Sequence, residues 1–322
     1  MPEAPRTAVV AGASGFLGRA IVAALHDDGY RVLTINRAGG DAAWDEPDAI
    51  ARVVAGAELL VNLAGKSVGC RYTGANRDEI LRSRVATTRA LHHAVRSAAE
   101  PPTLWLNAST GTIYRYATDR PQGEGDGELG AGFSVDVART WEAELFAGEL
   151  PGTRRVALRM AIVLGDGPAT RSLLTAARLG LGGPQHDGWW FDHSRYRGIG
   201  PEPSGDDRAP RHRSGGRQKF SWVHVDDVVG VVRFLRDHPE IEGPVNVATP
   251  TASDNRSLMA ALRRRVGAPM GLPAARWMLE LVMFALRNES ELLLKSRWVA
   301  PARLLDAGFG FTVTDLDEAL AR

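Results

Sequence analysis

Residues Val9–Gly18 have the sequence VVAGASGFLG, which carries the strongest indication of the fold of this chain. It overlaps a short apolar run, Thr7–Ala11, which predicts a buried strand. Its later residues begin a stretch, Gly15–His26, in which the apolar residues have helical spacing. A strand that passes through a glycine-rich turn into an amphipathic helix is typical of a parallel α/β sheet.

Each glycine of this segment has a distinct expected role. Gly12 permits a tight turn out of the strand, Gly15 lets the backbone approach a phosphate, and Gly18 lets the helix pack closely on the sheet. The amino terminus of the helix would add free N–H groups and the positive end of its dipole. The alternative is a glycine turn that binds nothing. The predicted dinucleotide contacts in this segment are Gly12, Ser14, Gly15, Phe16, Leu17 and Gly18.

The end of the second predicted strand indicates which dinucleotide is bound. Residues 33–37 read LTINR, so no carboxylate is present to bind the ribose 2′-hydroxyl of NAD, whereas Arg37 can bind the 2′-phosphate of NADP. Asn36 could add a hydrogen bond. Asp41 and Asp45 follow two glycines and come too late to replace the acid. The sequence therefore predicts NADP(H), and the alternative for Arg37 is a solvated loop arginine.

Strand and helix patterns alternate along the rest of the chain, which extends the α/β prediction beyond the first strand and helix. Further strands are predicted at Arg31–Ile35, Glu58–Leu63, Thr103–Ala108 and Arg155–Leu164, with Val245–Ala248 rejoining the sheet. Further helices are predicted at Asp78–Ala99 and Trp141–Ala147. The predicted fold class is α/β: a Rossmann-type doubly wound parallel sheet with a small, mainly helical cap on the substrate side. The residues Leu63, Ala64 and Gly65 would end the third strand at the carboxyl edge, where small residues let the backbone lie against the adenosine half.

The same patterns predict the domain organisation. Residues 1–170 form the NADP(H)-binding domain, rejoined by about 218–250, and residues 171–184 and 251–322 form the cap. Residues 185–217 are a polar insertion rich in Gly, Pro and Arg, too long for an ordinary connection. It is either a mobile surface insertion or a lid over the site. We expect its deletion to leave folding and cofactor binding intact.

Composition excludes several classes of protein. The formal net charge of +1 gives no broad attraction to nucleic acid or to an anionic membrane, so neither is expected as a partner. The single cysteine, Cys70, allows no intrachain disulfide and has no clear base beside it. The histidines of the insertion are too scattered to indicate a metal site. Without a signal-like start, a cytoplasmic protein is expected.

The chain resembles the extended short-chain dehydrogenases. The resemblance rests on the glycine segment and on residues 62–68 (NLAGKSV) and 220–227 (FSWVHVDD). Residues 79–88 (EILRSRVATT), 179–183 (LGLGG) and 295–311 (KSRWVAPARLLDAGFGF) narrow it to the atypical nucleoside-diphosphate-sugar epimerase-like family with a carboxy-terminal domain of unknown function. It covers nearly the whole chain except the insertion. The cofactor contacts that it implies are Asn36, Arg37, Leu63, Ala64, Glu79, Arg84 and Ile162. For Arg84, a plain surface arginine is the alternative.

The resemblance also implies a catalytic Ser/Thr and a Tyr-x-x-x-Lys pair, which exchanges a proton with substrate while hydride moves at the nicotinamide. Thr110 matches the Ser/Thr, and Tyr114 matches a tyrosine that is structural or faces substrate. The pair should fall in Gly132–Glu142, which contains neither Tyr nor Lys. Ser134 takes the tyrosine position and Ala138 the lysine position.

Two hypotheses therefore remain. The first is an NADP(H)-dependent oxidoreductase or epimerase with an atypical proton donor, whose small-molecule substrate lies between sheet and cap and faces Thr110 and Tyr114. The second is a non-catalytic NADP(H)-binding regulatory or scaffold protein. The chemically able substitutes for the missing pair are Tyr114, Tyr116, Lys66, Tyr72 and His224. For His224, a packing or capping role is the favoured alternative.

Overall fold

A seven-stranded parallel sheet forms the centre of the computed structural model, which describes residues 6–205 and 212–322. Its strand order is β10-β6-β5-β4-β1-β2-β3. The strands of this sheet are β1 (Thr7–Ala11), β2 (Arg31–Asn36), β3 (Ala42–Ala43), β4 (Leu59–Asn62), β5 (Leu104–Thr110), β6 (Arg154–Met160) and β10 (Gly243–Val247). Two small sheets pair β7 (Ile162–Leu164) with β9 (Trp222–His224) and β8 (Lys219–Phe220) with β11 (Ser253–Asp254).

Helices cover both faces of this sheet and form most of the cap. Around the sheet lie α1 (Phe16–Asp27), α2 (Pro47–Val54), α3 (Gly74–Ser97), α4 (Phe133–Phe146) and α6 (Val225–Asp237). The remaining helices are α5 (Pro168–Ala176), α7 (Asn255–Val266), α8 (Arg276–Ala285), α9 (Glu291–Leu294), α10 (Ala302–Asp306) and α11 (Leu316–Ala321). The predicted Rossmann-type fold class with a mainly helical cap is confirmed. The domain bounds stay a prediction.

Two apolar layers hold the sheet between its helices. Ile21 and Leu25 of α1 pack with Val228 of α6 on one face. Ile50 of α2 and Leu91 of α3 pack on the other. Because the strands between them are buried on both faces, they read as continuous apolar runs, as expected of a parallel sheet.

Strand register brings the functional loops to one edge. Ala11 pairs with Ile35 of β2 on one side and with Asn62 of β4 on the other. The three strands are parallel, so they end within one residue of each other at the carboxyl edge. This is the edge where ligands bind in open α/β sheets.

Two elements, β3 and α2, were not predicted from the sequence. A two-residue strand has no measurable periodicity, so β3 carries no sequence signal. The helix α2 does carry one: Pro47 occupies its first turn, and Ile50, Val53 and Val54 form its buried face. The short apolar stripe after Trp44 and Pro47 was therefore a signal that could have been used.

The predicted strand Arg155–Leu164 is wrong as a single element. The chain leaves the main sheet after Met160 and continues as β7 beside β9. Ala161, between the two strands, donates its backbone N–H to the Val247 carbonyl. One apolar run thus contains two strands that belong to different sheets. Periodicity alone does not distinguish this arrangement from a single long strand.

The described part of the insertion lies outside the sheet but is fixed to the rest of the protein. Arg195 and Tyr196 are only 4% and 5% exposed, and Arg195 pairs with Glu280 of α8 at 2.6 Å. Asp187 accepts a hydrogen bond from the Tyr116 hydroxyl at 2.6 Å. The interpretation as a mobile surface insertion is therefore wrong for this part, because a loose loop does not bury paired charges. Residues 206–211 lie outside the described residues.

No helix in the part of the chain that the structure describes is long and apolar enough to cross a lipid bilayer.

Candidate functional site

The turn after β1 touches the turn after β4. Gly12 has a φ of +84°, a conformation that favours glycine, and its N–H donates to the Ile35 carbonyl at 3.0 Å. A Cβ at Gly12 would lie 3.0 Å from the carbonyl carbon of Leu63 and 3.1 Å from the Ala64 nitrogen. A larger residue at Gly12 would push these two loops apart.

The first turn of α1 follows directly. A Cβ at Gly18 would lie 2.4 Å from the Gly12 carbonyl oxygen, so only glycine allows this close packing of helix on turn. The tight turn predicted at Gly12 and the close packing of the helix predicted at Gly18 are confirmed, whereas the approach of a phosphate to Gly15 stays a prediction. The first turn holds no acidic residue. Arg19, which sequence reasoning missed, donates to the Ser14 carbonyl at 2.6 Å and adds positive charge beside this turn.

Phe16 anchors this turn through its ring. A Cβ at Gly167 would lie 2.8 Å from the ring of Phe16, and one at Gly165 would lie 3.2 Å from it. The ring therefore packs against the turn that follows β7. A contact of Phe16 with a ligand would come from its backbone.

The end of β2 leaves two polar groups unused. The Oδ1 atom of Asn36 is buried and has no hydrogen-bond partner within residues 6–205 and 212–322. Arg37 is exposed, and no hydrogen bond or ion pair to another described residue is found for its guanidinium. Asp41 accepts a hydrogen bond from the Thr34 N–H at 2.8 Å. The acid that follows next in the sequence, Asp41, thus has a structural partner, whereas Arg37 has none among the described residues.

Arg84 lies beneath the loop after β4. Its guanidinium donates to the carbonyls of Lys66 at 2.9 Å and Ile80 at 3.0 Å, and it lies 4.9 Å from the ring centre of Trp141. Burial lowers the pKa of Arg84 to about 10. A Cβ at Gly65 would lie 3.2 Å from the Arg84 side chain. The alternative of a plain surface arginine is therefore wrong.

The other two cofactor contacts implied by the resemblance, Ile162 and Glu79, lie in different surroundings. Ile162 lies half-buried on β7, paired with Trp222. Glu79 forms an ion pair with Arg82 of its own helix. Among the described contacts, none brings Glu79 to the loops at the strand ends.

Tyr114 is a structural residue, which corrects the prediction that it faces substrate. It is buried, and its hydroxyl donates to Asn246 at 2.9 Å and accepts from Arg159 at 3.0 Å. Arg159 in turn donates twice to the carboxylate of Glu142, at 2.8 and 2.7 Å, and Ser109 donates to the same carboxylate at 2.6 Å. The phenol is thus held inside a buried network.

Thr110 lies at the end of β5 within a second polar cluster. Its Oγ1 accepts from the Thr112 N–H at 3.1 Å and lies 3.1 Å from the Thr112 hydroxyl. That hydroxyl also accepts from Nε of Arg297 at 3.0 Å. Arg297 comes from the cap, so cap and sheet meet at Thr110.

The positions of the missing catalytic pair are occupied by other groups. Ala138 is fully buried in the core beside Ile113. Ser134 donates to the carboxylate of Glu291 at 3.0 Å, and Glu291 lies 3.8 Å from the Lys295 ammonium. Glu291 and Arg297 were not identified from the sequence, because they lie more than 150 residues from Ser134 and Thr112, which they contact, and no local pattern marks them.

The remaining candidate side chains are hydrogen-bonded or at least partly buried. Lys66 donates to Asn76 at 2.9 Å. Burial raises the pKa values of the Tyr72 phenol and the Cys70 thiol. The Nδ1 of His224 accepts from the Asp226 N–H at the start of α6, so the capping role of His224 is confirmed.

Two family models match this chain. Residues 8–176 match the NAD dependent epimerase/dehydratase family, and residues 274–322 match a domain of unknown function, DUF1731. The first match contains the glycine turn, Thr110 and the region of the missing pair. The second contains α8 to α11.

The relatives match over nearly their whole length. The epimerase family protein SDR39U1 of Bos taurus is 30% identical, over 97% of this chain and 97% of its own. The epimerase family protein YfhF of Bacillus subtilis is 26% identical, over 97% and 95%. The crystal structure of human SDR39U1 (isoform 2) with NADPH has a TM-score of 0.80 at 26% identity and covers 98% of this chain and 97% of that one.

Proposed function

Because this chain belongs to the NAD dependent epimerase/dehydratase family, we propose that it binds NADP(H) at the carboxyl edge of its main sheet. The observation that carries the proposal is that neither Arg37 nor the buried oxygen of the adjacent Asn36 has a partner among the described residues, at a position where an NAD site would have a carboxylate. The NADPH in the human relative supports the same cofactor.

The residues that would hold the cofactor follow from the geometry of this edge. The turn from Gly12 to Gly18 and the start of α1 would receive the pyrophosphate through backbone N–H groups and the helix dipole. Arg37 would bind the 2′-phosphate by two hydrogen bonds, and Asn36 would add one. The loop of Leu63, Ala64 and Gly65 would lie along the adenosine half, with Arg84 and Ile162 nearby. Glu79 has the weakest support, since it pairs with Arg82.

Replacing Arg37 with Ala tests this assignment. We expect the difference in binding free energy that favours NADPH over NADH to fall by about 1–3 kcal/mol, the contribution of a charge-assisted hydrogen bond. Titration followed by nicotinamide fluorescence measures both affinities. Arg31→Ala is the matched control, because Arg31 is an exposed arginine at the opposite end of the same strand. An unchanged ratio in Arg37→Ala, or an equal fall in both variants, would refute the assignment.

We further propose that the protein is an oxidoreductase or sugar-nucleotide epimerase with a non-standard active site. Bound NADP(H) supplies hydride transfer, and the polypeptide must bind the substrate oxygen and move its proton. Thr110 is the best-placed hydroxyl, since it ends β5 where sheet and cap meet. Thr112 and Arg297 fix its surroundings, while Ser134 and Glu291 occupy the place of the usual proton donor. The alternative, a non-catalytic NADP(H)-binding protein, is favoured by the absence of the Tyr-x-x-x-Lys pair from the sequence.

Turnover distinguishes these two functions. A positioned acid or base contributes about 10²- to 10⁴-fold, so we expect oxidation or epimerisation of UDP-glucose to be slower by about that factor than in enzymes with the pair. Formation of NADPH or of the epimer measures it. Thr110→Val, which removes the hydroxyl and keeps the volume, should abolish the residual turnover without weakening NADPH binding. Robust activity that survives Thr110→Val would place the chemistry elsewhere.

A further inference from the structure

The outer face of helix α8 is apolar. Its buried face holds Leu279 and Met283, which pack into the cap. Its other face holds Trp277, Leu281 and Phe284 at i, i+4 and i+7, and these side chains are 57%, 61% and 67% exposed. A surface helix of a globular protein normally has polar residues on its outer side. The outer side of α8 therefore lacks the composition of a water-facing surface.

Exposed apolar residues also precede and follow α8 in the sequence. Met270 and Leu272 precede the helix, and Leu286 follows it, each at least 67% exposed. Leu272 bonds through its backbone to Gly180, next to Leu179, which is 73% exposed. Grouped apolar exposure of this kind marks an interaction site. We call this surface the cap face and define it as the exposed side chains of Met270, Leu272, Trp277, Leu281, Phe284 and Leu286.

The exposed charges of residues 265–288, the segment that contains the cap face, have one sign. Exposed arginines, Arg265 and Arg287, stand at the two ends of the segment. Within residues 265–288, all of which the structure describes, Glu280 is the only carboxylate, and it is buried and paired with Arg195 and Arg276. The segment thus presents apolar and cationic groups and no exposed negative charge.

This combination identifies the kind of partner. In a symmetric dimer formed through the cap face, this face of one copy would contact the same face of the other. Arg265 and Arg287 would then lie near arginines of the second copy, and this repulsion disfavours such a dimer. An anionic bilayer instead offers negative headgroups for the arginines and an apolar boundary for Trp, Phe and Leu. We propose that the cap face binds the surface of an anionic lipid membrane, with Trp277, Leu281 and Phe284 inserted at the headgroup level.

The proposal concerns binding at the membrane surface. The ten residues of α8 are about half of what a membrane-spanning helix needs. The expectation of no membrane partner rested on the net charge of +1 for the whole chain. That average does not describe the local charge of residues 265–288. The proposal is independent of the cofactor and of any reaction.

Co-sedimentation of the full-length protein with vesicles tests the proposal. We expect binding to vesicles of phosphatidylglycerol mixed with phosphatidylcholine, weaker binding to phosphatidylcholine alone, and loss of binding as salt is raised. The double variant Leu281→Ser/Phe284→Ser should reduce the partition coefficient by at least about tenfold, because two inserted side chains become polar. Its thermal melting should stay cooperative, since both positions are exposed.

A matched control uses two exposed leucines on other surfaces. The double variant Leu129→Ser/Leu305→Ser should bind vesicles as the unmodified protein does; these positions are 49% and 44% exposed. Failure of the unmodified protein to bind the anionic vesicles at low salt would overturn the proposal, as would equal losses in both double variants. A dimer detected by light scattering that only Leu281→Ser/Phe284→Ser dissociates would assign the cap face to a second copy and overturn it as well.

Discussion

Replacing Glu142 with Ala should lower the free energy of unfolding by about 3–5 kcal/mol. The variant leaves the buried guanidinium of Arg159 without the carboxylate to which it donates two hydrogen bonds, and leaves the Ser109 hydroxyl without its acceptor. An uncompensated buried charge is among the costliest single changes in a protein. Urea denaturation followed by circular dichroism measures the change.

Glu144→Ala provides the matched control on the same helix. Glu144 pairs with Arg89, whose side chain is mostly solvent-exposed, so its loss should cost no more than about 1 kcal/mol. If the two variants lost the same stability, Glu142 would not hold a buried charge, and the structural assignment of Tyr114 in the same network would lose its basis.

Replacing Glu280 with Ala should also cost about 3–5 kcal/mol and should release the described part of the insertion. Glu280 accepts hydrogen bonds from Arg195 at 2.6 Å, Arg276 at 2.8 Å and Ser290 at 2.6 Å. Without it, two buried arginines lose a shared carboxylate. Limited proteolysis should then cut within residues 185–205 much faster than in the unmodified protein, because local undocking exposes the backbone.

The control for Glu280 lies in the same cap. Asp317 pairs with Arg264 on the surface, so Asp317→Ala should change stability by no more than about 1 kcal/mol and should leave proteolysis unchanged. The sequence-based expectation was that most of Gln185–Arg217 could be deleted without loss of folding. The buried pair of Arg195 and Glu280 predicts the opposite. A deletion variant that melts as cooperatively as the full chain would contradict the structural account.

The parts of the fold that the sequence predicts are those with local signals. The turn from Gly12 to Gly18 was readable because a strand, three glycines and an amphipathic helix follow one another without interruption. The position of Arg37 at the end of β2 was predictable, and the parallel pairing of β2 with β1 places that end beside the glycine turn. These features depend on residues that are close together in the sequence, and hydrophobic periodicity is a signal of such local structure.

The remaining parts depend on contacts between distant segments. Tyr114 meets Asn246 across 132 residues, so its role as a buried structural residue has no local signature. Ser134 meets Glu291 across 157 residues, so the groups that replace the missing pair were not identified from the sequence. Polar residues in the insertion suggested solvent exposure, whereas Arg195 is buried because its partners come from α8 and from Glu289. Composition does not distinguish a buried paired charge from a solvated one.

Titration of the unmodified protein with NADPH and with NADH, followed by nicotinamide fluorescence, shows whether the end of β2 selects the 2′-phosphate through Arg37. We expect NADPH to bind more tightly than NADH, by about 1–3 kcal/mol, the contribution of a charge-assisted contact to that phosphate. Equal affinity for the two cofactors, or no binding of either, would contradict it.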